Sequence, residues 1–403
     1  MTLQSINPAT GELLEQFPET EAPELERILA GGETADRDWG RRSVAERLPQ
    51  GEAEAEKCAT ACDYYAEHAA AMLAPVGRET DARHSYVRFD PIGPVFAIMP
   101  WNFPFWQVIR FAAPALVAGN AVILKHAPNV SRCALEIEGL FRAAGFPEGL
   151  FRAVFLDNAA AGRVIADPRI RAVTFTGSDR GGAQVAEQAG RHVKKTVLEL
   201  GGSDPFVVLH DADLAQAAKT AADARLVNSG QSCIAAKRFI VVEPVFAGFV
   251  ERFTAELGAR KVGDPLAPGT EVGPQARLDL RANLHLQVEE SVRRGARLAL
   301  GGRLPGGPGA FYPPSLLVAV DPGMPAFDEE VFGPVAAVIR ARDESHAVAL
   351  ANASRYGLGA SLWTEDRARG ERLAAEIEAG AVFVNGLVKS DPRLPFGGVK
   401  RSG

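Results

Sequence analysis

Gly93-Pro94-Val95-Phe96-Ala97-Ile98-Met99 opens a stretch in which short apolar runs alternate with helix-length segments. Ala121-Val122-Ile123-Leu124 and Ala172-Val173-Thr174-Phe175-Thr176 repeat the run, and Lys195 to Leu200 makes a fourth. Between them, Phe105 to Ala118, Ser131 to Ala144 and Gly182 to Gly190 read as helices. Strand and helix in turn imply a parallel sheet with helices on both faces. A second set begins after Gly202, with a strand at Phe206-Val207-Val208-Leu209, an Ala-rich helix from Leu214 to Ala224 and a strand from Arg238 to Val242. Helices follow over 245–257 and 278–294, and strands over 298–300, 335–339, 360–363 and 381–384. The expected fold class is α/β with two doubly wound lobes. Upstream, Ser5 to Leu14 reads as a turn between extended pieces, Glu52 to Leu73 as helix, and Ser85 to Arg88 as a strand or hairpin arm.

At 403 residues the chain is too long for one hydrophobic core, so at least two domains are expected. Apolar residues at 47% and charged residues at 23% describe a soluble globular protein. A net charge of −6 argues against nucleic acid or an anionic membrane as the main partner. The N-terminal run Met1-Thr2-Leu3-Gln4-Ser5-Ile6-Asn7-Pro8 has neither a basic nor an apolar leader region, and the most apolar stretch, Pro91 to Trp106, is broken by prolines and Asn102. A cytoplasmic setting is expected. Four cysteines, Cys58, Cys62, Cys133 and Cys233, do not make a disulfide framework. Cys58 and Cys62 share one helix face, but without a second Cys pair or a His-x-x-His run no metal site is expected.

Several motifs carry chemistry. Cys233 ends the run Asn228-Ser229-Gly230-Gln231-Ser232-Cys233, where a Gly-containing turn brings backbone close to the sulfur; it is either a nucleophile or a buried thiol. Glu199 ends a strand before Leu200-Gly201-Gly202, suited to a general base and equally to an ion-paired carboxylate. Asn102, within Pro100-Trp101-Asn102-Phe103-Pro104, can donate to an oxyanion or simply hold a turn. Lys125 stands at the carboxyl end of Ala121-Val122-Ile123-Leu124, where ligands bind in such sheets and where a lysine also marks the exit to water. Gly177-Ser178-Asp179-Arg180-Gly181-Gly182 follows a strand and opens a helix, as a pyrophosphate site or a plain turn would.

In this order and at these intervals the motifs resemble the aldehyde dehydrogenase superfamily, from Ser5-Ile6-Asn7-Pro8-Ala9-Thr10-Gly11 through Glu329-Glu330-Val331-Phe332-Gly333-Pro334 to Pro395-Phe396-Gly397-Gly398-Val399-Lys400-Arg401-Ser402-Gly403. The resemblance implies that Cys233 is the nucleophile, Glu199 the base and Asn102 the oxyanion donor. It implies cofactor contacts from Trp101, Lys125, Gly177, Ser178, Gly182, Glu330 and Phe332, with NAD or NADP as the cofactor. Pro128 stands three residues after the lysine, where many NAD-preferring relatives have a Glu, so use of both is expected. The expected layout is a dinucleotide-binding domain over 1–77 and 91–200, an oligomerisation hairpin over 78–90, and a catalytic domain over 201–403. Leu124-Lys125-His126-Ala127-Pro128-Asn129-Val130 and Leu198-Glu199-Leu200-Gly201-Gly202-Ser203-Asp204-Pro205-Phe206 resemble a bacterial succinate-semialdehyde dehydrogenase branch. There Arg110 matches an arginine facing the substrate's far carboxylate, although a helix salt bridge is its alternative. A second substrate arginine of some relatives is Val227 here, with Arg225 displaced by two.

Two segments found in such relatives are expected to be missing: one between Gln50 and Gly51, and one beyond Gly403 that would return to the hairpin. Their loss would leave a strand edge unpaired and weaken the family precedent for a homodimer or homotetramer. Three alternatives stay open: a dehydrogenase for another small aldehyde, an acylating enzyme passing its thioester to coenzyme A, and an inactive remnant acting only in binding or structure. Glu199 argues against the second, and intact Cys233, Glu199 and Asn102 against the third.

Overall fold

The computed structural model describes residues 2–40, 56–265, 267 and 269–403, and the expected deletion at Gln50 lies outside them. The chain forms two compact units: Met1–Ser5, Leu13–Leu198 and Pro392–Pro395 in the first, and Ile6–Glu12, Glu199–Asp391 and Phe396–Gly403 in the second.

Up to residue 199 the elements are β1 (Thr2–Ile6), β2 (Leu13–Pro18), α1 (Ala22–Gly40), α2 (Glu56–Met72), β3 (Val76–Gly77), β4 (Tyr86–Val87), β5 (Val95–Met99), α3 (Trp106–Val117), β6 (Val122–His126), α4 (Ser131–Ala143), β7 (Phe151–Val154), α5 (Asn158–Ala166), β8 (Ala172–Thr176), α6 (Asp179–Arg191) and β9 (Lys195–Glu199). A five-stranded sheet has the order β7-β6-β5-β8-β9, with β5 parallel to β6 and β8 and β6 parallel to β7. Pleating sends Ala97, Met99, Val122 and Leu124 into one core with Cys58, Val108, Leu116 and Ile137. Phe96, Ile123 and Val173 join the other, with Ile28, Val164, Ile165 and Val185. Being buried on both faces, the central strands read as continuous apolar runs instead of alternating ones. β3 and β4 pair antiparallel as a separate hairpin on which Val76, Tyr86 and Val87 are exposed.

The later elements are β10 (Pro205–Val208), α7 (Leu214–Leu226), β11 (Arg238–Val242), α8 (Phe246–Gly258), α9 (Leu278–Arg293), β12 (Arg297–Leu300), β13 (Ser315–Val318), α10 (Pro325–Asp328), β14 (Val335–Ala341), α11 (Glu344–Asn352), β15 (Tyr356–Gly357), β16 (Gly359–Trp363), α12 (Arg367–Ala374), β17 (Ala381–Val384) and β18 (Val399–Lys400). A seven-stranded sheet runs β12-β13-β14-β11-β10-β16-β17, parallel except for β12 against β13. One face packs Phe206, Val208, Phe239 and Val241 against Phe249, Phe253 and Leu257 of α8 and the alanine stripe of α7. Val207, Ile240, Val335 and Ile339 line the other face, below α9 and α11.

The sequence pattern omits helices α1, α5, α11 and α12, and two further differences have local causes. β7 and β13 are not foreseen: Phe151-Arg152-Ala153-Val154 is short and carries a charge, and Ser315-Leu316-Leu317-Val318 follows Pro313-Pro314, which reads as loop. Helix α6 begins at Asp179, earlier than Gly182, because the Ser178 side chain accepts from the Gly181 N–H and caps the first turn.

Phe239 is fully buried among Phe206 and Phe253, at ring-centroid distances of 5.4 and 4.5 Å. We expect Phe239→Ala to cost about 3–5 kcal/mol in denaturant unfolding; a loss below about 1 kcal/mol would contradict this packing.

Candidate active site

In the first unit the parallel strands β6, β5 and β8 end together. Lys125 pairs in register with Ile98, and Ile98 with Phe175. Their carboxyl ends therefore deliver Lys125-His126, Pro100-Trp101-Asn102 and Gly177-Ser178 to one rim, the usual ligand side of such a sheet. Lys125 is buried, and that burial pulls its ammonium below the usual lysine range, opposed by Asp157. Ser178 caps α6, and Gly182 lies buried one turn in, its N–H donated to the Ser178 carbonyl. A Cβ at Gly177 would sit 2.6 Å from the tip of the Phe175 ring, so a side chain here would have to displace that ring. Trp101 and Asn102 are half-buried, and Arg110 is half-buried on α3, past the turn that the Phe103 carbonyl opens by accepting from Gln107.

His126 fixes the loop that carries Asn102. His126 Nδ1 lies 3.0 Å from the Ala127 N and 3.2 Å from the Met99 carbonyl, and Nε2 lies 2.9 Å from the Pro104 carbonyl, so the ring bridges β6 to both ends of this loop whichever nitrogen carries the proton. Burial lowers the imidazole's pKa and so favours the neutral ring, against the pull of the Pro104 and Met99 carbonyls. The loop from Met99 to Pro104 is thus tied at its far end to β6.

In the second unit the loop before Cys233 is strained. Asn228, Ser229 and Gly230 take positive φ in succession, at 51°, 55° and 76°. The left-handed region costs a non-glycine residue about 1–2 kcal/mol, so surrounding contacts must hold it. Arg225 donates to the Gly230 carbonyl at 2.8 Å, Gly273 donates to Ser229 Oγ at 2.9 Å, and Ala276 to Gln231 Oε1 at 2.8 Å. Arg225 is fully buried, and its other amine reaches the Val331 and Val335 carbonyls. It holds backbone and is not a second charge for a substrate, despite lying two residues from the position at issue. A Cβ on Gly230 would overlap the Gly333 carbonyl and lie 2.7 Å from Pro334 N, so the loop packs directly on the segment holding Glu330 and Phe332. Cys233, Glu330 and Phe332 are each half-buried.

Glu199, also half-buried, ends β9. The residues after it are held from both sides. Leu200 donates to the Ser402 carbonyl at 2.8 Å, Ser402 Oγ donates to the Gly201 carbonyl at 2.7 Å, and Gly202 donates to Glu330 Oε1 at 3.0 Å. Buried Lys237 donates to the Ser232 and Cys233 carbonyls at 3.0 and 2.6 Å and stands 3.6 Å from Glu330 Oε1. Sequence reasoning missed Lys237, Ser402 and His126, and noted Arg225 only as a displaced candidate for the substrate carboxylate. Both cations look like surface residues in a one-dimensional reading; only their place one turn from the Gly-rich run hints otherwise.

The first unit thus gathers Trp101, Asn102, Lys125, Gly177, Ser178 and Gly182, with Arg110 on the helix that follows, and the second gathers Glu199, Cys233, Glu330 and Phe332. A half-buried thiol on a braced turn, beside a carboxylate tied to that turn, is equipped for covalent chemistry on an electrophilic carbon. Residues 48–403 match the model of the aldehyde dehydrogenase family. The chain belongs to that family. It is 46% identical over 428 residues to a succinate semialdehyde dehydrogenase (NAD(P)+) of Escherichia coli K12, covering 99% of this chain and 93% of that protein. It is 43% identical over 435 residues to a succinate-semialdehyde dehydrogenase (NADP+) of Mycobacterium tuberculosis H37Rv, covering 100% and 95%. The fold is similar to the crystal structure of the Streptococcus pyogenes succinic semialdehyde dehydrogenase in complex with NADP+, at a TM-score of 0.96 and 34% identity, covering 100% of this chain and 95% of that one.

Gly230→Ala should lower unfolding stability by at least about 2 kcal/mol, from left-handed strain and the backbone overlap together. It should also slow alkylation of Cys233 by iodoacetamide. Native stability and native alkylation in this variant would contradict the role given to the turn.

Proposed function

We propose that this protein oxidises succinate semialdehyde to the carboxylic acid through a thioester on Cys233, with NADP or NAD as hydride acceptor, in the cytoplasm. The observation that carries the reading is the Cys233 turn, strained at Asn228 and Ser229 and held by buried cations in a chain of this family. Cys233 Sγ, as thiolate, forms a bond to the aldehyde carbon, and the carbonyl oxygen becomes an oxyanion. The Asn102 amide and the Cys233 backbone N–H stabilise that oxyanion; one such donor is worth about 3 kcal/mol. A bound nicotinamide would supply the acceptor for the hydride that the former aldehyde carbon gives up as the Cys233 adduct becomes a thioester. Glu199 then accepts a proton from water, whose oxygen attacks the thioester, and Cys233 leaves as thiolate with the acid released.

The residues present suit a dinucleotide. The Gly177-Ser178 turn offers bare backbone at a helix N-terminus for the pyrophosphate. Lys125 would hold the ribose hydroxyls, Glu330 and Phe332 the nicotinamide end, and Trp101 a backbone contact. Pro128 places no carboxylate three residues after Lys125, so a 2′-phosphate meets no repulsion there, in keeping with the NADP use named for the relatives. Arg110 is assigned to the distal carboxylate of the substrate. The dinucleotide-binding role goes to residues 1–77 and 91–200, the catalytic role to 201–403, and self-association to the 78–90 hairpin, where Tyr86 and Val87 are exposed. Among the described residues no helix is long and apolar enough to cross a membrane.

Cys233→Ala should abolish formation of reduced cofactor while leaving cofactor binding, measured by calorimetry, close to native. Substantial turnover by this variant would remove Cys233 from the mechanism.

Arg110→Ala should lower kcat/KM for succinate semialdehyde by about ten- to a hundred-and-fifty-fold and barely change that for butyraldehyde, because only the first has a distal carboxylate. With Arg225 committed to backbone carbonyls, Arg110 carries this preference alone in our assignment. Equal losses for both aldehydes would make the enzyme a general aldehyde dehydrogenase with a structural Arg110.

A further inference from the structure

Lys237 is a fully buried ammonium that touches both the nucleophile's loop and a residue assigned to the cofactor. Its Nζ donates to the Ser232 and Cys233 carbonyls at 3.0 and 2.6 Å and lies 3.6 Å from Glu330 Oε1. The same Glu330 oxygen accepts from the Gly202 N–H, three residues after Glu199. Two loops of the second unit therefore meet on one cation, the loop before β11 and the loop between α10 and β14, and the segment joining β9 to β10 is tied to the same Glu330 carboxylate. An ammonium with no exposed surface is unfavourable unless its charge is matched, so the carbonyls and the carboxylate cannot be moved independently. Burial lowers the lysine's pKa; Glu330 and Asp204 oppose this, Arg225 adds to it, and a Cys233 thiolate would favour the charged lysine.

We infer that Lys237 is a positioning residue that couples the Cys233 loop to Glu330, so that the state of the cofactor-side carboxylate is felt at the nucleophile. This rests on the reading of Cys233 and Glu330 given above. The coupling has a physical route. A charge-assisted bond strengthens as its geometry tightens, and the ammonium has three protons to share between two carbonyls and one carboxylate. If the carboxylate engages a ribose, the lysine's hold on Ser232 and Cys233 changes, and with it the placement and ionisation of the thiol. Lys237 itself touches neither substrate nor reacting atoms in this account.

The test is a double-mutant cycle on the full chain, with alkylation measured without cofactor and the cofactor KM measured separately. Iodoacetamide alkylation of Cys233 is followed by mass spectrometry of its peptide, with Cys133 on α4 as internal reference. Lys237→Met keeps length and removes charge; it should slow Cys233 alkylation about tenfold or more and raise the cofactor KM by a similar factor. Glu330→Gln should change Cys233 alkylation severalfold when Lys237 is present and have no effect in the Lys237→Met background. Native alkylation in folded Lys237→Met, or an equal effect of Glu330→Gln in both backgrounds, would overturn the inference. If Lys237→Met does not fold, Glu330→Gln alone decides: an unchanged Cys233 rate overturns the coupling. Turnover by Cys233→Ala would instead overturn the catalytic reading, and the alkylation cycle would still report on the coupling.

Discussion

Three buried cations in the second unit, Arg225, Lys237 and Arg238, set the terms for everything around them. None can reach water, and a buried cation must be met by acceptors held in place. Here the acceptors are mainly backbone carbonyls. Arg225 takes those of Gly230, Val331 and Val335, and Lys237 those of Ser232 and Cys233. Arg238 takes those of Ser203, Leu350 and Ala351, the last two at the carboxyl end of α11, where the helix dipole favours positive charge. Each carbonyl belongs to a loop or helix end, so satisfying the cations fixes the loops. Asp204, buried beside them, shows the cost of the arrangement: desolvation pushes its carboxyl up to about 7, even against the pull of Lys237.

That constraint explains how a strained turn persists. Asn228 and Ser229 in the left-handed region would relax in a mobile loop. In this chain the Gly230 carbonyl is claimed by Arg225 on one side, and the Ser232 and Cys233 carbonyls by Lys237 on the other. The first unit reaches rigidity by neutral means. His126, uncharged by burial, links two backbone groups and anchors the loop of Asn102, and Ser178 caps the helix whose first turn faces the strand ends.

How much of this could be read from the chain alone follows from what each signal depends on. Continuous apolar runs such as Val95 to Met99 and Phe206 to Val208 mark strands buried on both faces, and burial is a local property of composition, so the two doubly wound sheets were legible. The catalytic candidates stood out because their chemistry needs Gly or Pro neighbours, which are visible in sequence. Lys237 did not, and Arg225 stood out only as a displaced substrate arginine, because a buried and an exposed cation look alike until the carbonyls that pair with them, as far away as Val331 and Val335, are brought in by the fold. Ser402 escaped notice for the same reason: its role comes from a contact with Gly201 across nearly half the chain. The start of α6 was misplaced because Ser178 acts there as a cap, while the glycines after it suggested a longer turn.

The central claim is that this braced turn makes Cys233, among four cysteines, the atom that carries the acyl group. The most direct measurement is to trap that group. Glu199→Gln removes the proposed base for hydrolysis and leaves thiol attack intact, so enzyme mixed with succinate semialdehyde and NADP, quenched in acid and digested, should show the acyl adduct on the Cys233 peptide alone. No adduct on that peptide alongside a full burst of reduced cofactor, or an adduct on Cys58, Cys62 or Cys133, would contradict the account.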